Sequence, residues 1–119
     1  MPIISIKTNC TLDTVQQQQL LKQVVVVTSE TLAVEKERID VSLQILPSEL
    51  TITGGVQKRL FVRYTVAMLA GRTLEMRRAL AQSYQQTTLD LITEDGVDVK
   101  TILQDLQRDQ LALGGELLE

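Results

Sequence analysis

The chain has 119 residues, 44% of them hydrophobic and 23% charged, a balance that fits one globular domain spanning 1–119 with a modest core. It contains no His and a single cysteine, Cys10, which removes the usual zinc and iron ligands, Ser-His and Cys-His nucleophile pairs, and any internal disulfide. A net charge of −3, no Gly-rich phosphate loop and no apolar run near the roughly 18 residues of a membrane span argue against nucleic acid, nucleotide and membrane partners. A cytoplasmic protein without metal or cofactor is expected.

In chain order, Met1-Pro2 leads into Ile3-Ile4-Ser5-Ile6-Lys7, a short β-branched run that reads as a strand. A helix is expected over about Asp13 to Leu32, with Asp13 or Thr11 as cap and Leu20, Val24, Val27 and Thr31 on one face. Within it, Val24 to Val27 alone would favour strand, but the flanking segments continue the helical pattern. Ile39 to Ile45 alternates as a strand, Pro47 ends it, and Gly54-Gly55 turns the chain.

The second half repeats the first. Leu60 to Leu69 reads as a strand, and Thr73 to Ile92 as a helix with Leu80, Tyr84, Thr87 and Leu91 on one face. Val97 to Leu106 reads as a strand, and Gly114-Gly115 follows. An ungapped offset of 60 places Gly54-Gly55 on Gly114-Gly115, Leu43-Gln44 on Leu103-Gln104 and Leu20 on Leu80. The organisation is α+β: two tandem β-α-β repeats, 2–59 and 60–119, forming a four-stranded sheet with both helices on one face. The other face would expose apolar residues, for which self-association is the simplest cover.

Two features carry chemistry. A small residue behind the initiator predicts removal of Met1, which would leave Pro2 as a free secondary amine. Burial and nearby positive charge would both lower its pKa and make it a base near neutral pH. Charge is also uneven. Residues 58–78 hold Lys58, Arg59, Arg63, Arg72, Arg77 and Arg78 against Glu75 alone, whereas residues 90–119 hold eight acids against Lys100 and Arg108. A basic band of this kind suits a small carboxylate or subunit pairing. Arg72 stands at a helix start, where a cation opposes the macrodipole, so its placement asks for a reason. Arg63 and Arg77 read as surface salt-bridge residues, and Tyr64 and Tyr84 as packing residues.

The β-α-β-β-α-β pattern opening on Met-Pro resembles the tautomerase superfamily, which includes 4-oxalocrotonate tautomerase, macrophage migration inhibitory factor and 5-carboxymethyl-2-hydroxymuconate isomerase. Pro2-Ile3-Ile4-Ser5-Ile6 is similar to the opening strand of that family. Ala70-Gly71-Arg72-Thr73-Leu74-Glu75-Met76-Arg77-Arg78 resembles the isomerase segment at the start of the second helix, and Leu113-Gly114-Gly115-Glu116-Leu117 resembles the close of 4-oxalocrotonate tautomerase. The resemblance implies an isomerase with Pro2 as general base and Arg72 as carboxylate ligand. It further implies Lys36, Arg38 or Lys100 as a second cation across a subunit boundary, a small carboxylate substrate and a homotrimer. The chain departs from the pattern in places. Leu12 replaces the first-half counterpart of Arg72, and Thr51 and Leu111 occupy positions where relatives carry an aromatic wall. Two alternatives stay open: a hydratase or dehalogenase on small unsaturated acids, with Glu116 as a candidate water activator, and a non-catalytic trimeric scaffold.

Overall fold

Along the first strand, β1 (Ile3–Thr8), Ile4, Ile6 and Thr8 are buried while Ile3 and Lys7 are exposed. That alternation makes β1 a strand with one face in the core. The computed structural model describes residues 1–119. After β1 come α1 (Thr14–Leu32), β2 (Asp40–Ile45), a hairpin of β3 (Ile52–Thr53) and β4 (Val56–Gln57), and β5 (Phe61–Leu69). Then follow α2 (Leu74–Leu91), β6 (Asp98–Leu106) and a second hairpin of β7 (Ala112–Leu113) and β8 (Glu116–Leu117). The four long strands form one sheet in the order β2-β1-β5-β6. Each repeat contributes a parallel pair, β1 with β2 and β5 with β6, and the two repeats join through antiparallel β1 and β5. This is the expected α+β architecture. No helix is long and apolar enough to cross a membrane.

The valine run is helical because its surroundings decide it. Asp13 caps α1 in a capping box, accepting from the Gln16 backbone N–H at 2.8 Å while the Gln16 side chain accepts from the Asp13 N–H at 3.0 Å. The buried stripe of α1 is Leu20, Val24, Thr28 and Leu32, an i, i+4 series. Val27 and Thr31, expected on this face, are only half-buried. In α2, Leu80, Tyr84, Thr87 and Thr88 are buried and Leu91 is half-buried. The rotation follows the tyrosines. The rings of Tyr64 and Tyr84 stack with centroids 4.7 Å apart. The Tyr84 hydroxyl shares a hydrogen bond with Thr28 and the Tyr64 hydroxyl one with Thr88, both at 2.7 Å. The threonines therefore have to face inward to satisfy buried phenols. Burial pushes the Tyr64 phenol up to about 12, against the opposing pull of its Thr88 bond. It pushes Tyr84 up as well.

The sheet face away from the helices mixes polar and apolar side chains. Ser5, Lys7, Arg63, Thr65 and Lys100 stand on it, and Ile3 and Ile102 are its exposed large hydrophobics. Several exposed apolar side chains are on or beside the hairpins, with Leu50 80%, Ile52 70% and Leu117 51% exposed, and Val15 and Leu74 stand out on the first turns of the helices. Both hairpins turn on a Gly-Gly pair with positive φ at each glycine, 58° and 77° in the first and 61° and 87° in the second. That left-handed backbone is the physical reason for the repeated pairs.

Candidate active site

The start of β1 and the end of β5 are neighbours because the two strands run antiparallel in a register that sets Ile3 opposite Ala67. Pro2 precedes the first and the loop carrying Arg72 follows the second, so one corner of the sheet draws on both repeats. Pro2 is buried, and its carbonyl accepts from the Asp40 N–H at 3.1 Å, which extends the β1–β2 ladder by one step. With Met1 in place, the terminal amine has a pKa lowered from its ordinary value, first by burial, then by the charge of Arg72 and then by that of Arg38.

Arg72 lies in the tight connection from β5 to α2. The Ala70 N–H donates to the Leu106 carbonyl at 2.9 Å, Gly71 takes φ 117°, and Thr73 caps α2 by accepting from the Met76 N–H at 3.1 Å. The Arg72 Nε is buried and has no hydrogen-bond partner. Leaving such a donor unsatisfied costs on the order of 1–3 kcal/mol. No acid of the chain lies within ion-pair distance of the Arg72 guanidinium.

The other expected site cations are placed differently. Lys36 and Arg38 lie on a single 3₁₀ turn, Lys36–Arg38, just before β2, and both are exposed. Arg38 reaches Glu35 at 3.9 Å, an exposed pair of little energetic weight. Lys100 is not brought to Pro2 within one chain. It pairs in register with Arg63 and through it with Lys7, roughly 13 Å along the sheet from the Ile3 row. Its ammonium lies 3.2 Å from Asp98. Arg77 does form the expected salt bridge, to Asp105. Arg63 does not; its guanidinium lies over the Phe61 ring, 5.0 Å from the centroid.

Thr51 is held in a structural network. Its hydroxyl accepts from Asn9 Nδ2 at 2.8 Å and donates to the Ser48 carbonyl at 2.8 Å. Asn9 also donates to the Arg59 carbonyl at 2.9 Å and accepts from the Phe61 N–H at 2.9 Å, tying the end of β1 to the start of β5. Periodicity gives no sign of this role, since Asn9 simply follows a strand. Two surface depressions lie elsewhere: one between the helices beside Lys22 and Asp90, the other beside Cys10 and Pro47. Neither includes Pro2 or Arg72. Burial raises the pKa of the Cys10 thiol.

With this geometry in view, solved structures supply the comparison. The chain superposes on a fused 4-OT solved as a symmetric trimer with a TM-score of 0.90 at 20% identity, covering 98% of this chain and 94% of that one. It superposes equally, at 0.90 and 20% identity over 98% and 95% of the two chains, on the protein Pt0534 inactivated by 2-oxo-3-pentynoate. Macrophage migration inhibitory factor of Toxoplasma gondii follows at 0.82 and 17% identity, over 97% and 98%. No protein-family model matches the sequence, and no curated protein matches it. The fold is thus the one shared by 4-OT and migration inhibitory factor, over nearly the whole chain. Chemically, the corner joins a terminal amine biased toward its neutral form with an unpartnered guanidinium. Together they can accept a proton next to a bound carboxylate.

Proposed function

We propose that the protein is a tautomerase of the 5-carboxymethyl-2-hydroxymuconate isomerase type. It moves a proton between carbons, or from an enol oxygen to carbon, in a small unsaturated 2-oxo or 2-hydroxy acid. The observation that carries this reading is the convergence on one corner of a depressed terminal amine and the unpartnered Nε of Arg72. Removal of Met1 transfers the amine to the buried Pro2, where the neutral form takes the proton and returns it at the far end of the conjugated system. Arg72 grips the carboxylate and stabilises the dienolate as charge develops. That Pt0534, a protein of this fold, is inactivated by a 2-oxo acid agrees with the substrate class.

The active form is a cytoplasmic homotrimer. Leu50, Ile52, Val56, Leu113 and Leu117 stand exposed on or beside the hairpins and need cover, and fused 4-OT chains of this fold are trimers. Arg38 and Lys36 border the Pro2 corner of their own chain, and Lys100 reaches a substrate only from a neighbouring subunit. The test is enol-to-keto conversion of 2-hydroxymuconate and phenylenolpyruvate by wild type, Pro2→Ala and Arg72→Ala. Pro2→Ala is expected to lose about 10²- to 10⁴-fold in kcat, and Arg72→Ala to raise KM. Wild-type activity no better than buffer on both compounds would overturn this substrate assignment and leave a tautomerase of narrower substrate or a non-catalytic trimer.

A further inference from the structure

We propose that Arg77, anchored by Asp105, is the positioning residue that sets Arg72 for its ligand. The inference rests on the carboxylate-binding role of Arg72. Arg77 sits in the first turns of α2, and its guanidinium faces two ways. Its Nε donates to the Arg72 carbonyl at 3.4 Å, a long bond, and its Nη2 donates to Oδ2 of Asp105 near the end of β6. One side chain thus ties the Arg72 loop to both the helix after it and the strand beside it. The Ala70–Leu106 backbone bond holds the start of the same loop to the end of β6. The loop is pinned at both ends while the Arg72 side chain is left without a partner.

The internal repeat supplies an independent observation. Sixty residues earlier, Gln17 takes the place of Arg77 and Leu12 that of Arg72. The Gln17 Nε2 donates to the Leu12 carbonyl at 2.8 Å, the same side-chain-to-backbone contact across five residues. The counterpart of Asp105 is Ile45, which offers no charge. Both halves keep the loop-holding bond. Only the half that presents an arginine to the site uses a charged, anchored donor.

The acid has a physical purpose. Two guanidinium groups five residues apart repel, and an unpaired Arg77 would compete for an incoming carboxylate. Asp105 neutralises Arg77 and directs it to the backbone, whereas the Arg72 guanidinium has no ion pair and its buried Nε no hydrogen-bond partner.

The experiment measures KM and kcat on 2-hydroxymuconate for Arg77→Ala, Arg77→Gln and Asp105→Asn, each with Arg72 intact and with Arg72→Ala, alongside amide exchange over residues 70–76. Arg77→Ala and Asp105→Asn are expected to raise KM roughly tenfold, short of the ~10²-fold that a 1 Å misplacement can cost, with kcat nearly unchanged. Arg77→Gln, copying Gln17, should restore most of the affinity and most of the exchange protection. In the Arg72→Ala background all three changes should lose their effect on KM. Arg77→Ala that leaves KM unchanged, or that raises it equally without Arg72, overturns the positioning role alone. Arg72→Ala with wild-type KM overturns the carboxylate role, and the positioning role with it.

Discussion

The two halves of the molecule follow one backbone plan and fill it with different side chains. Sixty residues separate α1 from α2, the first hairpin from the second, and the 3₁₀ turn at Ser48 from that at Arg108. At the corner where β1 starts and β5 ends stand Pro2 and Arg72. At the mirror corner, where β5 starts and β1 ends, the counterparts are Val62 and Leu12, 0% and 7% exposed and both in the core. The mirror corner has no chain terminus, and apolar side chains fill both positions. The contrast shows that a two-repeat sheet generates two equivalent places, while a terminus can occupy only one of them. The same asymmetry runs through the core. Thr28 and Thr88 are equivalent, yet both tyrosines that bond them come from the second repeat, opposite Ile4 and Val24 in the first.

Removing this asymmetry should have graded effects. The largest concerns the core. Tyr84→Val makes the second helix match Val24 of the first, deletes the ring stack and orphans the Thr28 hydroxyl. It should cost about 3 kcal/mol, read from urea unfolding; a cost under about 1 kcal/mol would show that the stack is incidental to stability. Next comes an exchange between corners. Leu12→Arg should lose about 2 kcal/mol because it withdraws a core side chain. Arg72→Leu should be neutral or stabilising, since it deletes a buried donor without a partner, while substrate binding is lost. Equal costs for the two changes would mean that the corners are energetically alike. The smallest effect is in pH dependence. With Met1 present, burial and then Arg72 depress the terminal amine. The same surroundings acting on the amine of Pro2 should put the acid limb of kcat/KM below the ordinary α-amino value of roughly 7.7–8.0. Loss of a nearby cation raises an amine pKa, so Arg72→Ala should move the limb upward. Burial, the larger cause, stays in place, so the limb should not reach the ordinary value. A limb that is unmoved or lowered would separate the guanidinium from the amine.

Much of this plan was legible in the residues. The strands at 3–8 and 40–45, both helices, the Gly-Gly turns and the 60-residue repeat follow from period, capping and left-handed backbone. Pro2 and Arg72 stood out through position and family resemblance. Helix faces were legible only approximately: a periodicity locates a stripe, but whether Val27 or Thr28 points inward depends on a phenol 56 residues away. The sheet face away from the helices does expose apolar residues, Ile3 and Ile102, but mixes them with Ser5, Lys7, Arg63, Thr65 and Lys100. Further exposed apolar side chains stand at the hairpins and helix starts. Alternation within a strand shows that two faces differ without showing which neighbours each will have. Lys100 is near Pro2 in neither sequence nor sheet, and strand register alone sets that distance.

By itself, the sequence determined the local geometry, because φ preferences, caps and hydrophobic periods act within a few residues. It also determined the duplication, because a repeat is a property of the string. The tertiary structure decided which residues meet. The antiparallel join of β1 and β5 carries the amine of the first repeat to the guanidinium of the second. The β5–β6 pairing sets Asp105 against Arg77 across 28 residues. Such contacts depend on register and packing between elements, and no local preference encodes them.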